Sequence, residues 1–219
     1  MVRGFFDSAL EGPARWHDGL VRDLSAVPYG KLTAARLDEV VRPYAAATLS
    51  DRRVPVYGAG FVAATDLLPD RRQHLSWWQG PDGGKLTLTT SSFNKERLDY
   101  SEFEWYRIPM HRRQPHIAGP SVDYLCCDEY TMTAAVPVMI GDRFLGIAGV
   151  DLLVSSVERH LLPLLRREQR EITLINDMDR IILSTDLHLE TGGSVHRRPT
   201  AQHTRRERCG SHPLTLLIG

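Results

Sequence analysis

Residues 131–152 read Thr-Met-Thr-Ala-Ala-Val-Pro-Val-Met-Ile, then Gly141-Asp142, then Arg-Phe-Leu-Gly-Ile-Ala-Gly-Val-Asp-Leu. Two apolar runs rich in β-branched residues flank a two-residue turn signal. That pattern predicts a β-hairpin, with a strand over Thr131–Ile140 and its partner over Arg143–Leu152. Working forward, a helix is expected from about Ser155 to Arg167 with Val157, Leu161 and Leu165 inward, shortened or kinked by Pro163. A second hairpin follows, Glu171–Asn176 and Arg180–Thr185 across Asp177-Met178-Asp179. Residues 187–210 read as polar and irregular, and Leu214–Ile218 as a last short strand.

Working backward, residues 99–113 predict a short helix leading into a basic loop. Leu75–Gln79 and Lys85–Thr90 predict a hairpin around Pro81-Asp82-Gly83-Gly84. Val56–Ala64, small and β-branched, predicts another strand. Two N-terminal helices are expected. One covers 13–27, with Pro13 at its first position and Trp16, Leu20, Leu24 and Val27 inward. The other runs from about Lys31 to Leu49, with Thr33 as N-cap and Leu37, Val40, Val41, Tyr44 and Thr48 inward. Most connections are short, so the fold class is α+β. A mainly antiparallel central sheet of about six strands is flanked by helices.

The 219 residues suit one large domain or one domain with an extension. The chain is 42% apolar and 25% charged with zero formal net charge, which excludes a disordered chain and disfavours a dedicated nucleic-acid binder. Arg outnumbers Lys, which is present only at 31, 85 and 95, and a coding bias accounts for that as well as any chemistry. Three cysteines, two of them adjacent (Cys126 and Cys127, with Cys209), make a poor disulfide framework and fit a reducing compartment. The N-terminus lacks the apolar core of a signal peptide. The most apolar stretch, Phe144–Val157, is interrupted by Asp151 and two serines, short of the roughly 20 residues that span a bilayer. The expectation is a soluble, cytoplasmic protein without a membrane contact.

Val136–Asp151 resembles the Cache (PDC) sensor family, in which a Pro-Val … Gly-Val-Ala-Gly-Val-Asp hairpin precedes a helix. Glu104-Trp105-Tyr106 is similar to that family's Trp-Tyr pair. Gly119-Pro120-Ser121-Val122-Asp123 is similar to its Pro-Tyr-Val-Asp element, and residues 172–177 with 180–185 to its closing strand pair. The resemblance covers about 54–219 and implies a PAS-like ligand-binding domain there, with 1–53 as a helical segment that packs on the sheet or pairs two chains. Family members are mostly extracytoplasmic receptor domains, so this chain reads as a stand-alone cytoplasmic version. Amino-acid-binding members carry an Arg two residues before the Trp, as a carboxylate clamp. Here that position is Phe103, and Arg107, Arg112 and Arg113 are the candidate substitutes. The family's Tyr is replaced by Ser121. Its amine-anchoring Asp is retained as Asp151.

The resemblance implies a ligand site built from Asp151, Trp105, Tyr106, Asp123, Tyr124, Ser121, Thr133 and Trp78. Each has a plainer reading beside it. Asp151 either pairs with a ligand ammonium or caps the following helix. Trp105 and Tyr106 are either pocket walls or core. Trp77 and Trp78 must face opposite sides of their strand, and which one reaches the pocket is open. Asp123, Asp128 and Glu129 with Tyr124 and Tyr130 suit a cation held by π-faces, or form a solvated acidic loop. Cys126 and Cys127 are redox-active or merely small and apolar. A zinc site with Cys209, His203 or His212 lacks recognised spacing. Arg197, Arg198, Arg205, Arg206 and Arg208 touch phosphate or a partner, or decorate a solvated loop.

No nucleophile-elbow, P-loop, zincin or dinucleotide motif occurs. The expected function is non-enzymatic sensing, without a cofactor or metal, of an amine, cationic or amino-acid-like metabolite. The signal would pass through a partner protein such as a separately encoded transcription regulator. A small hydrolase or lyase using Asp151 or Cys127, and an interaction module with a vestigial pocket, are the alternatives.

Overall fold

The structure, a computed structural model, describes residues 1–28, 30–86, 99–122, 129–197 and 205–219. Three N-terminal helices replace the two expected: α1 (Val2–Ala14), α2 (His17–Ser25) and α3 (Ala34–Ser50). α1 buries Val2, Phe5, Phe6 and Ala9, a helical stripe the sequence reading did not use. Pro13 closes that helix rather than opening the next, because its ring removes a backbone donor one residue before the end. Leu20 and Leu24 of α2 are buried as expected. Thr33 caps α3 by accepting a hydrogen bond from Arg36 N at 3.3 Å, and Leu37, Val41, Ala45 and Thr48 form its buried stripe.

The strands form two sheets. The first has six strands: β1 (Gly58–Ala63), β2 (Leu75–Gln79), β3 (Gly84–Lys85), β4 (His116–Val122), β5 (Tyr130–Ile140) and β6 (Arg143–Leu153). Their order is β3-β2-β1-β6-β5-β4. α4 (Glu104–Arg112) precedes β4, and α5 (Val154–Leu165) follows β6 with Val157, Leu161 and Leu165 buried. The second sheet contains β7 (Ile172–Asn176), β8 (Ile181–Ser184), β9 (Arg205–Arg208) and β10 (Leu214–Ile218), in the order β8-β7-β10-β9. The closing hairpin therefore pairs with the C-terminal strand, Leu214 opposite Asn176 and Ile218 opposite Ile172, instead of extending the first sheet. Both strands carry consecutive apolar residues that need a partner. No described helix is long and apolar enough to cross a membrane.

Contacts divide the chain into two compact units. One holds Asp7–His116 and Thr133–Asp151, and the other Met1–Phe6, Ile117–Met132 and Leu152–Gly219. Within the first, α3 packs on β1 and β2. Within the second, Ile175, Ile181 and Leu217 form a core that Leu189 and Val195 cover, and the Phe5 ring lies 5.0 Å from that of His160.

Candidate functional site

Register decides which side chains share a face. Gly58 is opposite both Asp151 and Gln79, and Gly60 is opposite both Gly149 and Trp77. Because side chains alternate along a strand, Asp151, Gly149, Gly58, Gly60, Trp77 and Gln79 lie on one face. Ser76, Trp78, Ala59, Phe61, Ala148 and Val150 lie on the other. The indole that reaches the Asp151 face is thus Trp77, not Trp78, which corrects the sequence assignment. The sequence shows that the two tryptophans diverge. Only strand pairing says in which direction.

The glycines on this face make room for Trp77. A Cβ on Gly58 would sit 2.6 Å from Trp77 Nε1, and one on Gly60 2.5 Å from Trp77 Cε3. One on Gly149 would lie 3.4 Å from Cη2, so the indole extends over β1 to β6. Glycine within a strand marks a close approach, and Gly58-Ala59-Gly60 was the available clue to this face.

Asp151 is 9% exposed. Thr133 Oγ1 donates to its Oδ1 at 2.7 Å, so these two expected residues stand together. The alternative reading of Asp151 as a helix cap is corrected here. α5 begins only at Val154, with Leu153 in the cap position and no side-chain cap bond. On the same face, Trp77 Nε1 and Gln79 Oε1 are buried without a hydrogen-bond partner among the described residues. A buried polar atom left unmet costs about 1–3 kcal/mol, so native structures rarely keep two such atoms side by side without a reason.

Trp105 and Tyr106 lie on α4. Trp105 is half-buried and stacks on Phe103, rings 8° from parallel and 5.8 Å apart. Tyr106 is 2% exposed, packs edge-on against Phe144, and has Thr65 as its hydrogen-bond partner. Burial pushes its phenol above the usual value. Glu104 meets His116 at 2.8 Å. Of the substitute clamps, Arg107, Arg112 and Arg113 are all exposed, and Arg113 is engaged by Asp142 at 2.7 Å. Asp123, Tyr124, Cys126, Cys127 and Asp128 lie outside the described residues. Ser121, in the other unit, is exposed, and its backbone carbonyl accepts from Thr131.

The arginine-rich segment is ordered as β9 at 205–208, not irregular, because it pairs with β10. It borders a cleft of about 390 Å³ lined by Asn176, Asp177, Asp179, Arg206, Arg208 and Thr215. Arg206 bonds Asp179 at 2.7 Å, and His196 meets the same carboxylate at 2.9 Å. These two partners, Arg206 the stronger, hold the Asp179 carboxyl below its usual range. Arg208 reaches Asp177 and Arg205 reaches Glu207. The described arginines of this segment are thus charge-matched within the chain. Cys209 is buried, and that burial pushes its thiol up to about 11, so it is no thiolate nucleophile at neutral pH.

No family model and no curated protein matches the sequence. Solved structures do match the fold. A methyl-accepting chemotaxis protein X aligns with a TM-score of 0.64 at 12% identity, over 99% of this chain and 91% of that one. The ligand-binding domain of the Pseudomonas aeruginosa PAO1 amino acid chemoreceptor PctC, in complex with GABA, aligns with a TM-score of 0.57 at 16% identity, over 97% and 91%. The extracellular domain of the histidine kinase mmHK1S-Z3 aligns with a TM-score of 0.57 at 13% identity over 83% of this chain, which spans 64% of that domain's length. At these identities the likeness is one of fold. The chain has the Cache (PDC) fold of chemoreceptor and histidine-kinase ligand-binding domains.

Proposed function

We propose that this chain is a sensor that binds a small cationic metabolite on the Asp151 face of its six-stranded sheet. The observation that carries this reading is a buried carboxylate that accepts from Thr133, on the face where the Trp77 N–H and the Gln79 oxygen find no partner among the described residues. A buried carboxylate that accepts from a neutral hydroxyl is well matched to an ammonium, which supplies both charge and donors. Trp77 walls the site on the β2 side. Preferential affinity for one arrangement of the chain would shift its population, and a partner protein would read the change. On this reading the protein works in the cytoplasm, which cell fractionation checks.

Native mass spectrometry of freshly purified protein, followed by a thermal-shift panel of amines, amino acids and carboxylates, tests the proposal. Amines should raise the melting temperature of the wild type. Asp151→Asn should keep the fold by circular dichroism and lose the amine response by at least about tenfold in Kd. A retained response would remove Asp151 as the anchor.

A further inference from the structure

Trp77 and Gln79 deepen that proposal. Trp77 is 5% exposed, and its indole N–H lies over Gly58, the register partner of Asp151. Gln79, also opposite Gly58, presents its buried carboxamide oxygen on the same face. One unmet donor and one unmet acceptor therefore flank the strand position next to the carboxylate. Another buried indole of the same unit, Trp16, has its N–H satisfied by Thr48 at 3.0 Å. The paired stretches of β1, β2 and β6, residues 58–63, 75–79 and 146–151, contain no Lys, Arg or His. A ligand carboxylate placed here would lie on the face of the Asp151 carboxyl, and these paired stretches offer it no cation. A neutral carbonyl would not.

We infer that Trp77 Nε1–H and Gln79 Oε1 form a neutral subsite for a carboxamide, so that the preferred ligand is a primary amine bearing an uncharged amide rather than a free amino acid. This rests on the amine-sensor reading. Asp151 holds the ammonium, the indole N–H donates to the amide oxygen, and Gln79 Oε1 accepts from the amide N–H. The arrangement satisfies both orphaned atoms at once.

Calorimetric titration with L-alaninamide, n-propylamine and L-alanine tests it. The wild type should bind alaninamide about tenfold more tightly than propylamine, and alanine most weakly. Trp77→Phe should abolish the advantage of alaninamide over propylamine, whatever it does to the affinity of both. A second readout needs no variant that might misfold. In wild-type protein labelled with nitrogen-15, the Trp77 indole resonance should shift with alaninamide and stay in place with propylamine. If propylamine binds and Asp151→Asn removes it, but alaninamide has no advantage or leaves the indole resonance unmoved, the subsite is overturned while the sensor reading stands. An indole unmoved by a ligand that binds would assign that N–H to a resident water. If none of the three probes binds, the amine reading fails and the subsite falls with it.

Discussion

Ser76 and Trp78 on β2 point toward α3, while Trp77 and Gln79 point the other way, and the two sides are finished differently. On the α3 side Asp38 gathers Ser76 Oγ at 2.7 Å, His74 Nε2 at 2.9 Å and the Lys85 ammonium. Burial alone would raise the Asp38 carboxyl, but these partners outweigh it and hold the group below its usual value. On the Asp151 side the indole N–H and the Gln79 oxygen have no partner among the described residues. One strand thus carries a closed polar network on one face and an open one on the other. A closed network stabilises the fold by itself. An open one becomes favourable only when something else completes it.

The contrast breaks most severely at Gly60. A Cβ there would sit 2.2 Å from the Ser76 carbonyl oxygen as well as against Trp77, so backbone must move. Gly60→Ala should cost about 3 kcal/mol in urea unfolding and lose ligand response together with stability. If it is tolerated, the indole does not occupy this face as described.

Asp38→Ala sharpens the contrast by opening the closed side. It strands a buried serine hydroxyl, a histidine and a lysine, and should cost about 2 kcal/mol without changing ligand affinity. The pH dependence supplies the sign. Because the folded pKa of Asp38 is lowered from 3.8, its contribution is fully present above about pH 3.8. It is lost as pH falls through the lower folded value. Unfolding midpoints measured on acidification should show this step in the wild type and a smaller one in Asp38→Ala.

The smallest effect is expected on the open side. Gln79→Leu removes an acceptor that no protein group uses, so ligand-free stability should change by less than about 0.5 kcal/mol while affinity for alaninamide falls. A loss as large as that of Asp38→Ala would mean that the oxygen has a structural partner.

Much of the architecture was legible because it is periodic. The hairpin of β5 and β6 announced itself by two β-branched runs around Gly141-Asp142, and α3 by its Thr33 cap and apolar stripe. The second sheet was not legible, since nothing local in Ile172–Asn176 says whether it joins β4 or β10. The site divides in the same way. Asp151 interrupts an apolar strand and stands out in the sequence, whereas Gln79 looks like any strand terminus. The helix-cap alternative for Asp151 was equally consistent with the sequence until α5 proved to start beyond its reach.

The sequence by itself determined the β5–β6 hairpin, α3, α5 and the rule that Trp77 and Trp78 diverge, because these follow from bond geometry and local periodicity. Only the tertiary structure decided which indole shares a face with Asp151, which polar atoms are buried, and which of them find partners. Those outcomes depend on register between strands distant in the chain, and a shift of one residue would exchange the two faces of β2.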